Sequence, residues 1–207
     1  MRRLLGRANS SNVMKVIWLL QELGIPYVRE DRGGAFGGID TAEYRALNPN
    51  GIVPTLVEDA FVLWESNAIL RYLAAAHAAG TPLWPDDLHA RAGIDRWMDW
   101  QQTVLGPPMT VVFWGLVRTE PDRRDLQAIL SAVQKLSGIY AILEKVLSWH
   151  HYIGGHDFSP CDIAIGVHAH RWFSFELERP HHPHLRAWYD RLLARPAFAE
   201  HVALPMT

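Results

Sequence analysis

The feature that most restricts how this chain can fold is a change of periodicity near residue 80. Before it, short runs of strand character alternate with runs at helical spacing. After the break Gly80-Thr81-Pro82-Leu83-Trp84-Pro85, only helical spacing recurs. A chain with two such grammars divides into an α/β unit and an all-helical unit. The expected boundaries are 1–79 for the first, 80–88 for a linker and 89–207 for the second. The 207 residues are 49% hydrophobic, so either unit can bury a core of its own.

In the first part, Arg3-Leu4-Leu5-Gly6 reads as a short strand. Val13, Val16, Ile17, Leu20 and Leu23 then recur at helical spacing until Gly24 stops the helix. Tyr27 to Glu30 is a second strand, and Gly33 to Gly38 a glycine-rich loop. A short helix is expected from Thr41 to Leu47. Pro54–Val57 and Phe61–Trp64 form a hairpin about Glu58-Asp59-Ala60, and a third helix starts at Ser66. The order βαβαββα is the thioredoxin-like arrangement of a small α/β domain. In the second part, helices are expected from about His89 to Leu105, Arg123 to Trp149, Pro160 to Trp172 and His184 to Arg195. Gly106-Pro107-Pro108 should end or kink the first of these.

One helix start is specified in detail. Ser159 is a good N-cap, Pro160 suits the first helical position, and Asp162 completes a capping box, with Phe158 and Ile163 as a hydrophobic staple. The apolar run that follows marks a central helix. Ser159 and Asp162 therefore read as structural, and loss of Asp162 should cost on the order of 1 kcal/mol or somewhat more.

The net charge of −2 and the lack of a basic tract give no reason to expect nucleic acid or an anionic membrane as partner. No stretch reads as apolar enough to span a bilayer, and the start turns polar too early for a signal peptide. The lone Cys161 allows no internal disulfide, which fits a reducing cytoplasm, and a buried position would leave it inert. His181-His182-Pro183-His184 reads as an exposed turn, and no metal site is expected.

The chemistry concentrates in three places. Asn48-Pro49-Asn50-Gly51-Ile52-Val53-Pro54 is a turn that enters a strand through a Val-Pro bond, either cis or a trans proline opening an edge strand. Glu65-Ser66-Asn67 puts a carboxylate and a hydroxyl at a helix N-terminus. Free N–H groups there attract an anion, although an ordinary N-cap would look the same. Asn9-Ser10-Ser11-Asn12 lies between the first strand and the first helix, where either serine could be no more than a cap.

Together, Val53-Pro54, Glu65-Ser66, the Ser159–Asp162 box and Arg195-Pro196-Ala197-Phe198 resemble the cytosolic glutathione transferases over nearly the whole chain. The resemblance implies the glutathione transferase fold, a two-fold homodimer, and glutathione as co-substrate. It implies a cis Pro54 that turns the Val53 N–H and C=O toward the cysteinyl backbone of the tripeptide, with Ser66 and Glu65 at its γ-glutamyl end. Ser10 takes the position of the hydroxyl that contacts the thiol in serine-type members. Asn12 is its rival and Ser11 the third candidate. No tyrosine or cysteine stands near the start to support a tyrosine-type or mixed-disulfide mechanism. Ile52 departs from the family, where Lys or Gln at this position holds the glycyl carboxylate. Asn50, Arg7, Lys15 or Arg32 could substitute for it. Trp97, Trp100, Gln101, Thr103, Trp114 and Trp172 are candidates to line a second-substrate pocket, though a tryptophan at helical spacing is as readily core.

The leading expectation is a cytoplasmic detoxification enzyme that conjugates the glutathione thiolate to a hydrophobic electrophile. Two alternatives stand beside it. One is glutathione-dependent disulfide or peroxide reduction on the same fold. The other is a non-catalytic binding protein on this scaffold.

Overall fold

The computed structural model describes all residues, 1–207, which divide into two compact units, Met1–Ala79 and Gly80–Thr207. In the first unit the strands are β1 (Arg2–Leu5), β2 (Val28–Glu30), β3 (Thr55–Glu58) and β4 (Phe61–Trp64), and the helices are α1 (Ser11–Glu22), α2 (Ala42–Leu47) and α3 (Ser66–His77). The sheet order is β2-β1-β3-β4. β2 runs parallel to β1, while β3 is antiparallel to both β1 and β4. This is the expected thioredoxin-like βαβαββα unit.

Local chemistry explains the elements. Val13, Val16, Ile17 and Leu20 of α1 and Ile69, Leu70 and Leu73 of α3 are buried, and the two helices pack on each other. Gly24, at φ 62°, ends α1, and the Ile25 N–H returns to the Leu20 carbonyl at 2.9 Å. Thr41 caps α2 by accepting from the Tyr44 N–H.

The second unit is helical: α4 (Leu88–Trp100), α5 (Gly106–Phe113), α6 (Leu126–Leu147), α7 (Pro160–Ser174), α8 (Pro183–Leu193) and α9 (Pro196–His201). The sequence expectation differs at Gly106. The helical path does not stop there, because a π turn at Gln101–Leu105 carries α4 into α5, with the prolines in the first turn of the new segment. Pro107 and Pro108 lack an N–H for the preceding carbonyls, and they stand where the π turn already interrupts the regular i→i−4 ladder. A second π turn, Trp114–Arg118, ends α5.

α6 overturns another expectation. It is one helix of 22 residues that is apolar and long enough to cross a bilayer, by length and composition alone. In the fold it buries Ile129, Leu136, Tyr140 and Leu143 on one side and packs against α5 and α8.

α7 is buried nearly all round, as its composition implies. Its first turn is more than a cap. The Asp162 carboxylate accepts the Ser159 N–H at 3.0 Å and the Ser159 hydroxyl at 3.1 Å. It also accepts the Ile153 N–H at 2.8 Å and the Trp188 indole N–H at 2.9 Å. One fully buried carboxylate thus ties together the loop before α7, α7 itself and α8. Burial pushes its pKa up to about 6, against the pull of those donors.

Removing Asp162 strands several buried donors, so the cost exceeds that of a lost cap. Asp162→Ala should lower unfolding stability by about 3–5 kcal/mol, read from the urea midpoint. A raised carboxyl pKa favours the fold when protonated. That contribution is complete below the ordinary value of 3.8 and is lost as pH rises through about 6. The penalty of Asp162→Asn, which does not titrate, should therefore be larger at about pH 5 than at about pH 8.

Candidate functional site

The site begins at a glycine. Gly6 ends β1 at φ 153°, and a Cβ there would lie 2.5 Å from Val13 Cγ2 and 3.2 Å from Val53 Cβ. The end of β1, the first turn of α1 and the turn before β3 thus meet at a point with no room for a side chain. Hydrogen bonds from the Gly6 N–H to the Glu30 carbonyl (2.8 Å) and from the Arg7 N–H to the Arg32 carbonyl (3.1 Å) anchor this loop.

Ser10 is the N-cap of α1 by position, with φ −83° and ψ 124°, but its side chain makes no capping bond. It is 9% exposed, so the hydroxyl is nearly buried and uncommitted. Ser11 and Asn12 are half-buried in the first turn. The Ser66 hydroxyl donates to Asn12 Oδ1 at 3.3 Å, which joins the start of α1 to the start of α3.

The Val53–Pro54 peptide is cis, and the Val53 N–H and C=O make no hydrogen bond within the chain. The preceding residue is held from below. The Ile52 carbonyl accepts from the Tyr44 hydroxyl at 2.7 Å and the Asn48 amide at 2.9 Å. Asn48 also donates to Thr55 Oγ1 at 3.2 Å, and its Oδ1 accepts the Asn50 backbone N–H at 3.1 Å and the Asn50 amide at 3.2 Å. Burial pushes the Tyr44 phenol up, so it stays a donor. Tyr44 and Asn48 are residues that sequence reasoning missed. The available signal was Asn48 itself, a turn-initiating residue ahead of Pro49-Asn50-Gly51.

Glu65 precedes α3 at φ 70° and ψ 112°, in the left-handed half of backbone space that a non-glycine residue seldom adopts. Its carbonyl accepts the Ile69 N–H at 2.9 Å, and its exposed carboxylate caps nothing. Ser66 and Asn67 follow, both buried, at the first two positions of α3. An anion placed there would meet backbone donors, the Ser66 hydroxyl and the helix dipole.

Among the candidates for a glycyl carboxylate, Lys15 is fully buried and bonds to Ser66 and Asn67, so it serves the opposite end of the site. Arg32 contacts the Asp31 carbonyl and Glu30. Arg7 lies against Gly34, where a Cβ would come within 3.0 Å of its side chain. The Asn50 amide is engaged by Asn48, and the Ile52 side chain is 50% exposed.

Two sequence models match the chain: the glutathione S-transferase N-terminal domain over residues 9–76 and its C-terminal domain over residues 106–196. Glutathione S-transferase GstB of Escherichia coli (strain K12) is 39% identical over 98% of both chains. The chain belongs to the glutathione S-transferase family. Glutathione S-transferase 3 of Zea mays is 31% identical over 97% of this chain and 93% of its own. The theta class glutathione S-transferase of Xanthomonas axonopodis pv. citri, solved with glutathione bound, superposes with a TM-score of 0.95. It shares 45% identity and covers 100% of this chain and 99% of its own.

In the helical unit of this glutathione transferase, the second-substrate candidates separate. Trp172 is 1% exposed and stacks on Tyr140 with centroids 4.9 Å apart, a core position that leaves no surface for a ligand. Gln101 is 2% exposed, and its amide nitrogen is 2.9 Å from the His168 ring. Trp97 and Trp100 meet edge to face at 5.1 Å, Thr103 bonds back to the Asp99 carbonyl, and Trp114 is 59% exposed. Trp97 lines an open cavity of about 400 Å³ with Ile142, Val146 and Trp149.

The crowding at Gly6 is directly testable. Gly6→Ala should destabilise by about 1–3 kcal/mol. Adding Val13→Ala should recover part of that loss, because the closest contact is with Val13. Paired thermal melts of the single and double variants check this.

Proposed function

We propose that this glutathione transferase holds the tripeptide along the face that carries Val53, Glu65 and Ser66, and stabilises its thiolate with Ser10, assisted by Asn12. The observation that carries the assignment is the Ser10 hydroxyl, which stands at an N-cap, makes no capping bond and remains available as a donor. The unpaired amide groups of Val53 suit strand-like pairing with the cysteinyl backbone. The Ser66 end of α3 suits the γ-glutamyl carboxylate, and the exposed Glu65 suits the ammonium beside it. This reading places the enzyme with members that use a serine or asparagine at the first helix rather than a tyrosine.

The chemistry is lowering of the thiol pKa and positioning. A free thiol has a pKa of about 8.5, so only a few per cent is thiolate at neutral pH. A hydroxyl donor, an amide donor and the N-terminus of α1 each favour the anion. The thiolate then attacks a hydrophobic electrophile and displaces its leaving group. By family likeness, the enzyme works in the cytosol as a two-fold dimer.

Calorimetry with glutathione tests binding, and thiolate absorbance of the complex tests the assignment. Ser10→Ala should raise the bound thiol's pKa by about one unit or more and lower turnover of a chlorinated nitrobenzene about tenfold. Asn12→Ala should have the smaller effect. If neither substitution changes the absorbance, the sulfur lies elsewhere. Higher activity toward a hydroxyethyl disulfide than toward the nitrobenzene would favour the reductase reading, and no binding at millimolar glutathione would leave only a non-catalytic scaffold.

A further inference from the structure

One charged group near the site has no role in the mechanism above. Lys15, in the second turn of α1, is 0% exposed, yet its ammonium is 3.5 Å from Ser66 Oγ and 3.3 Å from Asn67 Oδ1. A lysine buried this completely is uncommon, because taking an ammonium out of water is costly unless other groups compensate for it. Here it is directed at the first two residues of α3, the helix end that already favours negative charge.

We infer that Lys15 is a positioning residue for anion binding, engaging Ser66 and Asn67 so that the Ser66 hydroxyl presents its proton to a carboxylate at the start of α3. The argument rests on hydrogen-bond inventory. An ammonium has three donors and no acceptor, so each oxygen it touches must accept. Ser66 Oγ accepts from Lys15, which turns its single proton away from the lysine. In the unliganded chain that proton goes to Asn12 Oδ1 at 3.3 Å. Asn67 Oδ1 accepts as well, so its amide nitrogen faces away from the ammonium. Without the ammonium, the Ser66 hydroxyl could take either orientation.

The inference rests on the glutathione reading and extends it in two ways. Lys15 adds a fixed positive charge one bond behind the hydroxyl that meets the γ-glutamyl carboxylate. When the carboxylate arrives it takes the Ser66 proton from Asn12, which frees Asn12 Oδ1 from that bond and so unties the side chain beside Ser10. Occupancy of the γ-glutamyl end is thereby linked to the group beside the sulfur.

The test compares glutathione with its 4-aminobutanoyl analogue, which keeps the amine and lacks only the α-carboxylate, by calorimetry on the full chain. Lys15→Met should weaken glutathione binding about tenfold or more while changing the analogue's affinity less than about twofold. Lys15→Gln, which keeps a donor and drops the charge, gives the same comparison if the Met variant does not fold, with an intermediate loss expected. Lys15→Arg, which keeps the charge, should retain more of the discrimination than either. Equal weakening of both ligands would make Lys15 a packing residue and overturn the inference, as would no weakening of either. A wild-type chain that does not bind glutathione would overturn the glutathione reading itself, and this inference with it.

Discussion

The geometry of the first unit depends on the close approach at Gly6. β1 and α1 are far in sequence from the Val53 turn, and the three come together only because one residue contributes no Cβ. The contact is apolar and carries no chemistry, but it sets where Ser10 and Val53 stand relative to each other. A side chain there would push the Ser10 hydroxyl and the Val53 amide groups apart. Catalytic placement is sensitive to displacements of about 1 Å, so a packing constraint can govern chemistry without touching substrate.

Two polar networks complete this frame, and both keep backbone from moving. Asn48 uses its amide nitrogen on Ile52 and Thr55 and its oxygen on Asn50, and Tyr44 adds a second donor to the Ile52 carbonyl. The turn that presents Val53 is thus fixed through the Ile52 carbonyl. At α3, Lys15 and Asn12 engage Ser66 in the same manner. A satisfied buried network of this kind is rigid, because every alternative leaves a polar group without a partner. The site therefore presents its donors already oriented.

What could be read from the sequence follows from how local each feature is. The βαβαββα order, the turn at Val53-Pro54 and the cap at Ser159 depend on neighbours within a few residues, and periodicity or turn chemistry reveals them. Lys15 was legible as a cation but not as a buried one, since only the packing of α1 on α3 removes it from water. Asp162 was legible as a cap, but its bonds to Ile153 and Trp188 are tertiary and leave no local signal. Trp172 could not be separated from pocket-lining tryptophans until Tyr140 was found stacked on it. The helical path through Gly106-Pro107-Pro108 was hidden because a π turn carries it, and no residue pattern announces one.

Three other N-caps in this chain make the strongest comparison for Ser10. Thr41, Asp87 and Asp125 each accept an N–H from the residue three positions on, at 3.3, 2.7 and 2.9 Å. Such a bond contributes about 1 kcal/mol, and Ser10 has the extended backbone of Thr41 and Asp87 and a suitable hydroxyl, yet it makes none. Helix α1 does not need the cap, because Val13, Val16 and Leu20 are fully buried and hold it by packing. Stability from the core thus frees a hydroxyl at the helix start, where the dipole and the neighbouring amide already favour negative charge. A hydroxyl left unused by the fold is what the proposed thiolate contact needs.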